Sequence, residues 1–158
     1  MNGFFEHQYL SYKKNHIKNL LALAKADGVV HAKEQKMLFK IGKRYGLKDR
    51  QVQELIDSKE KFKINVPDNF HDQMNVLYDL MLMVWADGVV EKKEIAFCED
   101  LVKKFGMKKE VVKWLLQEVF EKGTPPPPDE WDELKKEAKA MFVKAWRYRY
   151  RSHQKADP

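Results

Sequence analysis

The sequence contains one segment twice. Residues 20–55 align with residues 80–115 at a constant offset of 60 and without a gap, and 13 of the 36 pairs are identical. The run Ala26-Asp27-Gly28-Val29-Val30 returns as Ala86-Asp87-Gly88-Val89-Val90, each followed by a glutamate, Glu34 and Glu94. Most other pairs keep their class, as in Ile41/Leu101, Tyr45/Phe105 and Leu47/Met107. A gapless internal repeat requires one local structure built two times over, so any fold proposed for one copy must serve both.

The hydrophobic period within each copy is that of a helix. A first helix over about 7–26 carries Ile17, Leu20, Leu21 and Ala24 on one face. A second, about 32–45, places Met37, Leu38, Ile41 and Tyr45 inward, and a short third, about 49–58, uses Val52, Leu55 and Ile56. Gly28 and Gly46 end the first two, since glycine readily adopts the left-handed conformation past a helix end. The second copy predicts helices over about 69–86, 92–105 and 108–122. The stretch 80–86 is apolar all round, and Val111, Val112, Leu115, Leu116 and Val119 form a stripe on the sixth. Pro125, Pro126, Pro127 and Pro128 then stop the chain from continuing as helix. A seventh helix from near 129 carries Trp131, Leu134, Ala138, Met141, Phe142 and Ala145 on one face. The organisation that follows is a duplicated core over 1–122 with repeats at about 17–58 and 77–122. A proline-rich spacer at 123–128 and a C-terminal helix with a basic tail at 129–158, packed on the core, complete it.

Composition agrees with an all-α chain. There is one threonine, Thr124, and three serines, while Lys, Glu, Leu, Met and Ala are plentiful. The net charge of +6 favours anionic partners. The single Cys98 excludes an internal disulfide and fits a reducing compartment. Residues 1–14 have no secretory character, and no apolar run approaches the roughly 20 residues of a membrane span. These features predict a cytoplasmic protein with at most peripheral contact at the inner membrane.

The doubled Ala-Asp-Gly-Val-Val with its following glutamate resembles the TerB family of tellurite-resistance proteins, and is similar to the N-terminal domain of the DjlA co-chaperones. The resemblance covers roughly 17–119. It implies a bundle of about seven helices in two pseudo-twofold halves, an association with stress and tellurite resistance, and acidic surface residues considered for metal binding. The His-Pro-Asp motif of a J-domain is absent from the sequence.

The motif residues fit two readings. In the structural one, Gly28 and Gly88 supply a left-handed turn, Asp27 and Asp87 bond free amides within it, and the paired valines plug the turn into the core. Glu34 and Glu94 stand three residues after His31 and Glu91, the spacing of a capping box. His31 and Glu91 are poor caps, which leaves half of that box. In the second reading, Asp27, Glu34, Asp87 and Glu94 converge on a hard cation such as Ca²⁺ or Mg²⁺. An EF-hand is excluded, because the first and third loop positions would be Leu23 and Lys25, or Met83 and Trp85.

Catalytic patterns are missing from the sequence. No serine sits in a nucleophile elbow, no histidine pair has zinc-protease spacing, and the glycines are scattered. Cys98 aligns with Leu38 and reads as a buried small hydrophobe. The five histidines read as surface residues. The tail sets Lys144, Arg147, Arg149 and Arg151 among Trp146, Tyr148 and Tyr150, which suits phosphate or lipid contact. It equally suits a helix end whose cations complement the dipole. The expectation is a non-catalytic interaction module with a protein partner. The alternatives are a metal-binding or sensing domain through the motif carboxylates, and a nucleic-acid or anionic-membrane binder through the tail.

Overall fold

The structure, a computed structural model, describes residues 2–143, with side chains from Leu10 onward except that of Asp27. Helix α1 (Asn2–Ala24) runs into a 3₁₀ turn (Lys25–Asp27), and α2 (Ala32–Arg44), α3 (Asp49–Asp57), α4 (Phe70–Val84) and α5 (Lys92–Lys104) follow. Then come α6 (Glu110–Trp114), a π turn (Leu115–Val119) and α7 (Pro128–Phe142). Seven α-helices, with two isolated bridges and no strand among the described residues, make the chain all-α, as its periodicity leads one to expect.

The duplication is visible in boundaries and burial. Helices α2 and α5 both span 13 residues, at the offset of 60. Ile17/Leu77, Leu20/Leu80, Leu21/Met81, Ala24/Val84, Leu38/Cys98 and Ile41/Leu101 are all buried. Burying such side chains is the main source of folding free energy, about 1.5–3 kcal/mol for each Val, Leu, Ile or Met among them.

The contacts divide the chain into two compact units. The first holds residues up to Asn65 together with Asn75–Val90, and α1, α2 and α3 pack on one another within it. Helices α2 and α3 meet closely because Gly42 offers no side chain. A Cβ built there would lie 2.6 Å from Val52 Cγ2.

The second unit holds, among the described residues, Val66–Met74 and residues 91–143, with α6 packed against α5 and α7. Here the sequence expectation of one helix over 108–122 is corrected. The α-helix ends at Trp114, and a wider turn follows, closed by Phe120 N–H donating to Leu115 O at 2.8 Å. Extra residues in that turn shift the register so that Val119 and Phe120 both point inward, and Phe120 is fully buried. Residues 121–124 then close a tight turn, with Thr124 N–H bonded to Glu121 O and positive φ at Lys122 and Gly123. That is the pattern of a type I′ turn. Pro128 opens α7 at a position that lacks a hydrogen-bond acceptor anyway. Pro126 is buried, so the proline run is partly packed rather than only a spacer. On α7, Trp131 and Ala138 are buried as expected, but Met141 is 43% exposed and Lys135 takes the inward place between them.

Two glycines should respond oppositely to asparagine. Gly88 has φ +81° with open space where a Cβ would go, so only backbone strain opposes a side chain. Gly88→Ala is expected to cost about 1–2 kcal/mol and Gly88→Asn less, because asparagine tolerates the left-handed region. Gly42→Ala is expected to cost roughly 1–3 kcal/mol through the clash with Val52, and Gly42→Asn more. Urea unfolding of the four variants checks the reversal.

Candidate functional site

Four polar side chains lie in the described core: His16, Asn19, Asp79 and Lys135. A buried polar group must find partners or destabilise the fold, so each should be explained by its bonds.

Asn19 and Asp79 occupy the same position in the two copies, 60 residues apart, and both belong to the first unit. Asn19 grips the segment after α3. Its Nδ2 donates to Asn65 O and its Oδ1 accepts from Asn65 N–H, both at 2.8 Å. Asp79 is 0% exposed. Its Oδ2 accepts from His16 Nε2 at 2.6 Å, and its Oδ1 accepts from Arg44 Nη2. His16 comes from α1, Arg44 from the last turn of α2 and Asp79 from α4, so one carboxylate ties three helices. The His16 ring packs on Tyr45, with centroids 4.3 Å apart. Arg44, half exposed, lies over Tyr45 and Tyr78. Burial works against the Arg44 charge, but the carboxylate beside it holds the guanidinium above its ordinary pKa. Burial, and then the negative charge of Asp79, push the Tyr45 hydroxyl upward. Both Asp79 oxygens are engaged and none faces water. The arrangement is therefore a closed tie between helices rather than a base offered to a substrate.

In the second unit the Lys135 ammonium donates to His71 Nδ1 at 2.9 Å and pairs with Asp132 at 2.9 Å. Its hydrogen bond and charge hold the Asp132 carboxyl below its usual value. Asp132 itself is exposed, so this pair is screened by water.

The motif residues do local work. Gly28 and Gly88 have φ of +87° and +81°. Asp87 Oδ1 accepts from Val89 N–H at 3.1 Å, and the Asp27 side chain lies outside the described residues. Glu34 and Glu94 each accept from their cap amide, His31 N–H and Glu91 N–H, at 3.0 Å. Among the described residues no three His, Cys, Asp or Glu side chains come together as a metal-holding group. The valines correct the sequence reading. Val29 and Val89 are 62% and 61% exposed, held out by the left-handed glycine instead of plugging the core. The tail residues Lys144, Arg147, Arg149 and Arg151 lie outside the described residues.

His16 is the chief residue missed from sequence, since it was read as surface and is buried. The repeat held the signal, because His16 aligns with the apolar Val76. Asn19 and Asp79 gave a second signal, both polar and each one turn before an apolar residue, Leu23 and Met83. A smaller irregularity follows the same logic. Lys25 Nζ donates to Ser58 O at 2.6 Å and to Leu55 O at 3.3 Å at the end of α3. Its counterpart Trp85 has a buried Nε1 with no partner among the described residues.

The chain matches no protein-family model, no curated protein and no solved structure.

Asp79→Ala is expected to destabilise the protein by about 3–5 kcal/mol, because it strands a buried histidine and an arginine. Arg44→Met should cost a comparable amount, because it leaves Asp79 Oδ1 buried without its donor. Denaturant titration checks both variants, and a cost below about 1 kcal/mol for either would contradict the tie. Burial, reinforced by Glu94 and Glu99, pushes the Cys98 thiol up to about 12. At pH 8 its thiolate is then on the order of one part in ten thousand. A chromogenic disulfide reagent should modify Cys98 only after denaturant is added.

Proposed function

We propose that the chain is a non-catalytic interaction module whose contact surface for a protein partner is the pair of Ala-Asp-Gly-Val-Val turns. The exposure of Val29 and Val89 supports this most directly. An apolar side chain left in water adds nothing to the core, yet it stands at the same place in both copies. The turns are also rigid. In the second copy, left-handed Gly88, the Asp87 bond and the Glu94 cap fix the backbone on both sides of Val89. A contact presented in one conformation loses little entropy when it binds. A cytoplasmic setting is proposed from the single Cys98, and a role in stress or tellurite resistance rests on the TerB-like resemblance alone.

Val29→Asp combined with Val89→Asp should leave stability within about 0.5 kcal/mol, since both sites are on the surface. Photo-crosslinking residues placed at 29 and 89 in cells should give discrete adducts. The same residue at the exposed Lys36 should give none. Equal adducts at all three positions would remove the turns from the reading.

A further inference from the structure

The turn between α5 and α6 carries five lysines, Lys103, Lys104, Lys108, Lys109 and Lys113, against one acid, Glu110. All five are exposed, and none forms an ion pair among the described residues. Short bonds close the corner: Gly106 N–H donates to Lys103 O at 3.0 Å and Met107 N–H to Val102 O at 2.9 Å. Like charges crowded in this way repel, as Lys109 and Lys113 do at a spacing of four residues. Glu99 and Asp100, each four residues before Lys103 and Lys104, and Glu110, three before Lys113, offset only part of that repulsion.

The end of α7 is fastened to the same corner. Lys108 N–H donates to Phe142 O at 2.8 Å, and Met107 bridges to Val143. This brings apolar surface beside the lysines. Trp114 and Phe142, both half-buried, pack with centroids 5.4 Å apart, and Met141 is 43% exposed. In sequence the chain continues from Val143 directly into Lys144, Arg147, Arg149 and Arg151.

We propose that this α5–α6 corner docks on an anionic lipid membrane. Three features favour lipid over nucleic acid. The cations of the corner, Lys103, Lys104, Lys108, Lys109 and Lys113, are all lysines, compact point charges that suit a diffuse anionic surface, whereas arginine's planar fork suits individual phosphates. The Trp114 ring is engaged by Phe142, which leaves it a poor platform for a stacked base. Met141 offers flexible apolar surface that a headgroup–acyl boundary can receive. No described helix is long and apolar enough to cross a membrane, so attachment at this corner is peripheral.

The test uses the full chain in co-sedimentation with two kinds of vesicle: phosphatidylcholine alone, and phosphatidylcholine with equimolar phosphatidylglycerol. Binding is expected only to the anionic vesicles and should weaken as salt rises. Changing the five lysines together to glutamine should lower the partition constant by about a hundredfold or more. The melting temperature should hold, because all five side chains are exposed. Met141→Ser should lower binding several-fold with the charge unchanged, while Val29→Asp with Val89→Asp should leave it intact. Failure here would therefore not touch the reading of the turns. Anionic-vesicle binding that survives the five-lysine change overturns the proposal, as does the absence of binding at low salt. So does tighter binding to a single-stranded oligonucleotide than to the vesicles, which would assign the corner to nucleic acid.

Discussion

A carboxylate with no access to water destabilises a fold unless donors fill its oxygens, and Asp79 is such a group. Removing it from water is costly, and the return comes only in the folded arrangement that brings His16 and Arg44 to it. The interaction is thus sensitive to geometry in a way that Leu20 or Leu80 is not. An apolar side chain can slide along its neighbours and keep most of its burial. A two-donor carboxylate cannot. The tie fixes the register of α1, the end of α2 and α4 against one another.

The two copies did not stay equivalent around this interaction. The first copy supplies His16, Arg44 and Tyr45; the second has Val76, Lys104 and Phe105 at those places. Asn19 needs none of them, because it bonds both ways to the backbone of Asn65. Gly42, which lets α2 approach Val52, is Val102 in the second copy, and the third helix of that copy breaks into a π turn. The helices carried by the repeated apolar face survived, and the elements that meet side chains unique to one copy changed.

This division also explains what the sequence made legible. Helix type and order follow from a period of apolar residues, and a gapless repeat checks each helix against its twin. Burial of Cys98 was legible because Leu38 marks its position. The π turn was not, since it depends on burying both Val119 and Phe120, a tertiary question with no local pattern. Val29 and Val89 misled because hydrophobicity alone points inward, whereas the left-handed glycine before each decides the direction. His16 misled for the opposite reason: a lone histidine defaults to the surface unless a partner such as Asp79, 63 residues away, is already known. Lys135 is the same case on α7, made inward by His71.

The surface that remains has two physically different parts. At the turns, glycine conformation and side-chain bonds to amides fix the backbone in advance, and each turn offers one strongly exposed valine. Such a feature discriminates between partners by shape and is nearly indifferent to salt. At the α5–α6 corner the cations sit on long, mobile side chains whose attraction depends on their summed charge, so rearranging any one of them changes little. That feature gives attraction over distance and little selectivity, and salt screens it. On the two proposals together, charge would set where the chain is held and the turns which partner it meets. Because each depends on different atoms, neither requires the other to change shape.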